Sequence, residues 1–307
     1  MKVVRTIPAL REHRATLGRV ALVPTMGALH AGHVSLMEVA RRHAPHVGVT
    51  IFVNPTQFGP REDFQKYPRP IEADLDKCER AGVDFVFNPS VEEMYPPNPH
   101  AERAHAPHGD FVKPGFKSQI EIPLSERHPH NIVIDLPSLT SVLEGQKRPG
   151  HFKGVCQVVA KLFNVCAPNV ACFGEKDYQQ LRVISAMVDA LNWPIEIVPC
   201  PTLREPDGLA MSSRNQYLTP EDRQRAATIS RALVHAAEQV KAGFRQTIRL
   251  ITSVQRMMLE QHLLIDYVAA VDPYTFTPVP EVNGPTLLVI AARAGNTRLI
   301  DNVVLKP

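Results

Sequence analysis

Along the first ninety residues, short apolar runs alternate with stretches in which apolar residues recur every three to four positions. "GRVALVPT" (18–25) is a continuous apolar run bounded by glycine and proline, and it predicts a buried strand. "GHVSLMEVARRHA" (32–44) then sets Val34, Leu36, Met37, Val39 and Ala40 along one side of a helix. "HVGVTIFVNP" (46–55) is a second β-branched strand ending at Asn54-Pro55. "PIEADLDKCERAG" (70–82) opens on proline, carries acids in its first turn and ends on Gly82, the start and stop signals of a helix. "VDFVFNP" (83–89) reads as a third strand. Strands that alternate with helices predict an α/β fold with a parallel sheet and right-handed crossovers. Ligands of such sheets bind at the carboxyl ends of the strands, where "TMGALHAGH" and "FVNPTQFG" both fall.

The pattern breaks over about 97–130, a proline-rich stretch that reads as a long loop or irregular insertion. It resumes with a long helix over 151–168, a short strand and polar elbow at "NVACFGEKD", a helix from about 177 to 191, and a strand in "IEIVPCPTL". Residues 204–214 form a polar connection. Beyond it, "LTPEDRQRAATISRALVHAAEQVKAG" opens with Thr219 as N-cap, Pro220 at the first helical position, and Glu221 and Asp222 in the first turn. "IDYVAAVDP" and "TLLVIAARAGNTRLIDNVVL" then read as strands. Two domains are expected: residues 1–204, with the insertion, and a smaller α/β domain over 205–307.

Composition narrows the class. With 307 residues, 44% hydrophobic and 21% charged, the chain can bury a sizeable core. A net charge of +3 without clustered Lys/Arg argues against an extended nucleic-acid surface. No apolar run approaches the roughly 20 residues that span a bilayer. "MKVVRTIPALREHR" has charges where a signal peptide needs its apolar stretch, so a cytoplasmic protein is expected. The five cysteines show no CxxC spacing and read as small core residues. The insertion carries His100, His105, His108, His128 and His130 at spacings that match no familiar metal pattern.

The chemistry concentrates at strand-to-helix elbows. In His30-Ala31-Gly32-His33, glycine lets a ligand approach the backbone, and the helix N-terminus favours phosphate. Two imidazoles three residues apart can donate to developing negative charge, or can simply fill a turn. Gly174-Glu175-Lys176-Asp177 offers a lysine for phosphate, or a solvated surface residue, and an aspartate that could cap the following helix. Met211-Ser212-Ser213-Arg214 places hydroxyls and an arginine on a connecting loop, suited to gripping and releasing a triphosphate or to plain solvation. Gln57 and Gln180 could hold a substrate with hydroxyl and carboxylate groups, as readily as lie on the surface. Arg148 and His151 are another possible anion position, with a turn as the alternative. There is no Ser–His–Asp arrangement, GxGxxG or Walker A sequence.

Together these pieces are far more specific than any one. "PTMGALHAGH", "FVNPTQFGPREDFQKYPR", "PSVEEMYP", "LEGQKRPGHFKGV", "KLFN", "FGEKDYQQL" and "REPDGLAMSSRNQYL" follow in this order. The chain resembles the pantoate–β-alanine ligases of the HIGH-motif nucleotidyltransferase superfamily, over nearly its whole length apart from the insertion. The resemblance implies a Rossmann-like N-terminal domain with a C-terminal lid, and a cytoplasmic homodimer using ATP, Mg²⁺, pantoate and β-alanine. Pantoate and ATP would give pantoyl adenylate and pyrophosphate, and β-alanine would then displace AMP to give pantothenate. Carried over by motif, Met26, Gly27, Ala28, Leu29, His30, Ala31, Gly32 and His33 would line the ATP site, with His33 as proton donor. Gly174 to Asp177 (Gly174, Glu175, Lys176, Asp177), Leu203 through its backbone, and Met211, Ser212, Ser213 and Arg214 would complete it. His30, His33, Lys176 and Arg214 would act in catalysis. Gln57 would contact pantoate and β-alanine, and Gln180 pantoate. No dedicated protein metal site is implied, because Mg²⁺ would ride on the ATP phosphates. The link between "EEMYP" and "LEG" is longer than in the family pattern. Two other readings stay open at this point: another HxGH nucleotidyltransferase, and a non-catalytic ATP-binding regulator.

Overall fold

The computed structural model describes residues 1–60, 62–96 and 132–307. The expected insertion over about 97–130 and its five histidines lie outside the described residues.

Six strands form one sheet: β1 (Lys2–Val4), β2 (Val20–Thr25), β3 (His46–Ile51), β4 (Phe85–Phe87), β5 (Val170–Gly174) and β6 (Glu196–Cys200). Their order is β1-β4-β3-β2-β5-β6, and every pairing is parallel. Helices α1 (Ile7–Ala15), α2 (Ala31–His43), α3 (Ile71–Arg80), α4 (His151–Cys166) and α5 (Tyr178–Ala190) connect them. This is the expected Rossmann-like arrangement. Strand alternation explains why "VALV" is apolar throughout. Val20 and Leu22 pack on the α4 side with Phe152, Val159 and Phe163, while Ala21 and Val23 pack on the α2 side with Met37 and Ala40. Chain order reverses between β2 and β5, which opens a crevice at their carboxyl ends.

The edge strand β1 and helix α1 were not anticipated from the charged N-terminal stretch. Only three residues of β1 pair, with β4 alone, so the apolar signal is too short to read.

The C-terminal part begins with α6 (Pro220–Lys241) and α7 (Thr247–Glu260), followed by β7 (Leu264–Val271), β8 (Thr286–Ala294) and β9 (Thr297–Leu305). The N-cap reading of α6 holds, since the Thr219 hydroxyl accepts the Asp222 N–H at 3.1 Å. The three strands are antiparallel in the order β7-β8-β9. The long run "TLLVIAARAGNTRLIDNVVL" is a hairpin rather than one strand. Its Ala294–Thr297 pairing leaves Gly295-Asn296 as a two-residue turn with Gly295 at φ +54°. Leu288, Ile290 and Ala292 face α6 and α7. On the opposite side, Val271, Phe276, Leu287 and Val289 join the core of the larger sheet, so the two parts share an apolar seam. All five cysteines are buried and free. No helix among the described residues is long and apolar enough to cross a membrane.

Candidate active site

A cleft of about 240 Å³ opens at the carboxyl ends of β2, β3 and β5. Met26, His30, Gly32, His33, Gln57, Gly174, Lys176, Asp177, Gln180, Leu203 and Met211 to Arg214 all line it. Gly27, Ala28, Leu29, Ala31 and Glu175 do not. Their work is to shape the wall. Gly27 (φ +81°) and Ala28 (φ +51°) make a left-handed turn, and a Cβ at residue 27 would meet the Asp74 carboxylate at 3.0 Å. The buried Asp74 accepts the backbone N–H groups of Ala28 at 2.8 Å and Leu29 at 2.7 Å. This acid, forty-odd residues away in sequence, fixes the approach to His30 and was not singled out from the sequence. Its only signal there was an acid in the first turn of a helix.

His30 caps the N-terminus of α2, and His33 follows one turn later. The rings lie 4.1 Å apart between centroids. A Cβ at residue 32 would come within 2.8 Å of the His30 ring, which explains Gly32. The His33 Nδ1 accepts the His30 backbone N–H at 3.3 Å, so a neutral His33 carries its proton on Nε2. Burial, then the His30 and Lys176 neighbours, push His33 down to about 3; burial and Lys176 push His30 down to about 4. Both are neutral near pH 7, so what they can offer a ligand is a ring N–H donor rather than a positive charge. The His30 Nδ1 is buried without a hydrogen-bond partner among the described residues.

Lys176 lies in the 3₁₀ turn Glu175–Asp177, its ammonium 3.4 Å from the Asp177 carboxylate. Asp177 does not cap α5 with its side chain, contrary to one reading of the sequence, because it faces Lys176 instead. Strand β9 pins this turn from across the seam: Asn302 Nδ2 donates to the carbonyls of Glu175 (3.0 Å) and Lys176 (2.9 Å). In the Met211–Arg214 loop, the Ser212 hydroxyl accepts the Arg214 N–H at 3.2 Å, and Leu203 holds Met211 through its carbonyl at 3.0 Å. Arg214 pairs with Asp63. Burial alone would lower the Arg214 guanidinium, but the Asp63 carboxylate more than offsets it and raises it above its ordinary value.

The remaining polar wall comes from the β3 end. Gln57 is buried; its amide oxygen accepts Asn54 Nδ2 at 3.2 Å and its amide nitrogen reaches the Met26 sulfur at 3.1 Å. Asn54 is itself held by Tyr95 Oη at 2.9 Å and by the Gly154 carbonyl at 3.1 Å. His151 Nδ1 bonds to the Gln57 carbonyl at 2.9 Å, leaving Nε2 to accept from Arg148 at 3.0 Å. Burial and the neighbouring Arg148 push His151 down to about 4, so Arg148 is the cation of this pair. Of the two adjacent glutamines, only Gln180 lines the main cleft. Gln179 is structural, bonding to the Glu144 N–H (3.0 Å) and to the carbonyls of Leu139 and Val142.

The sequence comparisons agree with this geometry. The family model described as pantoate-beta-alanine ligase matches residues 2–304. The chain belongs to the pantoate–β-alanine ligase family. It is 43% identical to the pantothenate synthetase of Acetivibrio thermocellus, with 100% of both chains covered. It is 46% identical to that of Acidothermus cellulolyticus, covering 99% of this chain and 91% of the relative. Among solved structures, pantothenate synthetase from Thermus thermophilus superposes with a TM-score of 0.84 at 40% identity, covering 100% of each chain. Pantoate-beta-alanine ligase from Francisella tularensis, solved in complex with beta-gamma ATP and beta-alanine, gives a TM-score of 0.73 at 31% identity, covering 99% of this chain and 97% of that one. The resemblance of the ordered motifs is therefore upheld, and the chain is a ligase of this family.

Proposed function

We propose that the cleft carries out both half-reactions of pantothenate formation. Pantoate and ATP react first: a pantoate carboxylate oxygen attacks the α-phosphorus, the bond to the bridging oxygen breaks, and pyrophosphate leaves. The β-alanine amine then attacks the acyl carbon of the adenylate, and AMP leaves. The first step needs in-line positioning and stabilisation of charge more than a covalent catalyst. His33 donates from Nε2 to the phosphates, with His30 beside it, while Lys176 and Arg214 supply positive charge. Gln57 and Gln180 orient pantoate, and Gln57 also reaches β-alanine. ATP sits against Met26, His30, Gly32, His33, Gly174, Lys176, Asp177, the Leu203 backbone and Met211–Arg214, with the intervening residues of the two turns shaping the wall behind it.

The observation that carries the reading is the convergence of His30, His33, Lys176, Arg214, Gln57 and Gln180, drawn from separate segments of the chain, on one cleft. Among the described residues no group of three His, Cys, Asp or Glu side chains is built to hold a metal. We infer that Mg²⁺ would arrive with ATP and supply neutralisation of phosphate charge, alongside Lys176 and Arg214 in the cleft lining. Residues 205–307 act as the lid over the 1–204 catalytic domain, excluding water from the mixed anhydride. The enzyme works as a cytoplasmic homodimer. Product analysis tests the reading: AMP accumulates only when β-alanine joins ATP and pantoate, whereas a stable nucleotide conjugate as final product contradicts it.

A further inference from the structure

Glu62 and Asp63 are chain neighbours, and each grips a different arginine of the cleft. Arg148 donates to both Glu62 oxygens, at 2.8 Å from Nε and 2.6 Å from Nη2. Arg214 does the same with Asp63, at 3.1 Å and 2.9 Å. The two arginines come from segments remote from each other, one just before α4 and one in the 211–214 loop. Both line the cleft. Neither pair is deeply buried: the side chains keep 19% and 25% of their exposure in one pair, 30% and 27% in the other. Each arginine lines the cleft and keeps part of its side chain exposed there, so an anion entering the cleft can reach it.

Their geometry suggests a role. A carboxylate gripped at two oxygens by a guanidinium fork is the arrangement that an incoming phosphate or carboxylate also adopts. The segment bearing both acids also rests against the 211–217 region, with Tyr67 Oη 3.4 Å from Ser213 Oγ and Tyr217 Oη donating to the Lys66 carbonyl at 3.3 Å. On the reading of the cleft given above, we propose that Glu62 and Asp63 are positioning residues that hold Arg148 and Arg214 until anionic groups of the reactants replace them. The exchange is divided. Arg214, beside Ser212 and Ser213, is handed by Asp63 to phosphate. Arg148, which contacts His151 next to Gln57, is handed by Glu62 to a substrate carboxylate. Until then each guanidinium stays paired, and an uncharged molecule entering the cleft cannot release it.

Calorimetric titration of the whole protein with two probes, inorganic pyrophosphate and pantoate, tests this on Asp63→Asn, Glu62→Gln and Asp63→Glu. Removing a competing carboxylate frees its arginine. Asp63→Asn should therefore bind pyrophosphate about threefold to tenfold more tightly than wild type, with pantoate changed less than about twofold. Glu62→Gln should show the reverse selectivity, and Asp63→Glu, which keeps the charge, should stay near wild type. Equal changes for both probes, no change, or weaker anion binding in either amide variant overturns the exchange. In unmodified protein, independent of any variant, the Asp63 side-chain carboxyl ¹³C resonance should move on adding pyrophosphate; a fixed resonance also overturns it. A wild-type protein that binds no pyrophosphate counts against the cleft reading itself, and so is distinguished from failure of the exchange alone.

Discussion

Two pairs of side chains face the same cleft and are held there in opposite ways. His30 and His33 belong to one turn. They are neutral, with pKa values pushed to about 4 and 3 chiefly by burial, and the backbone of their own turn fixes the His33 proton on Nε2. Arg148 and Arg214 are charged, come from separate parts of the chain, and are held by the neighbouring carboxylates of a third. On the proposed reading, the histidines are donors already set in place by their turn, and such preorganisation acts on the rate. On the proposed exchange, the arginines capture and release anions by moving between partners, so their first effect is on the binding of reactants.

The sharpest way to break this contrast is to truncate the rigid pair. His33→Ala should lower the rate of adenylate formation by about a thousandfold with little change in the Kd for ATP, measured by pyrophosphate release and by titration. A loss confined to ATP affinity would put the histidine in the same class as the arginines. Next comes an arginine that is not exchangeable. Arg298 bridges the seam to the buried Glu144 at 2.7 and 2.6 Å, with the Tyr267 hydroxyl also on Glu144 at 2.7 Å. Arg298→Ala leaves that carboxylate buried with one partner fewer. It should cost about 3 kcal/mol of stability in denaturant unfolding. Lys176→Ala should slow pyrophosphate release by about a hundredfold, less than His33→Ala.

A two-step acid profile separates the two kinds of group by the pH at which each stops contributing. The folded state keeps His30, His33 and His151 neutral well below 6.5, while the unfolded chain protonates them from 6.5 downward. Stability is therefore full above pH 6.5 and falls as the pH drops toward 4, by at most about 1.4 kcal/mol per pH unit for each histidine. Burial pushes Glu62 and Glu144 up, but Arg148 and Arg298 overcome it and hold both below the ordinary 4.5. Their contribution is present above 4.5 and is lost only at lower pH. Urea midpoints at pH 7, 5.5 and 4 follow this, and His33→Gln should flatten the first phase alone.

What the sequence revealed follows the same division. The β2–α2 elbow, the N-cap at Thr219 and the Gly174–Asp177 turn are local, so spacing and chemistry within a few residues expose them. The parallel sheet was legible because its strands are apolar on both faces and separated by helices of the right period. Asp74, Glu62, Asp63 and Asn302 were not, since each acts on a partner far along the chain and looks like any surface polar residue. The family resemblance singles out Gln180 rather than Gln179, but the physical reason lies in the packing of α5 against Leu139 and Val142, which turns Gln179 inward and leaves Gln180 in the cleft. The hairpin at Gly295-Asn296 hid because its turn has only two residues between two stretches that both read as strand.

The central claim is that these residues form one site for adenylation followed by amide formation. Single-turnover reaction of the protein with pantoate and ATP labelled at the α-phosphate tests it most directly. The account predicts one equivalent of enzyme-bound pantoyl adenylate and one of pyrophosphate, with labelled AMP appearing only after β-alanine is added. Labelled AMP released without β-alanine at the same rate, or a label that remains on the final product, contradicts it.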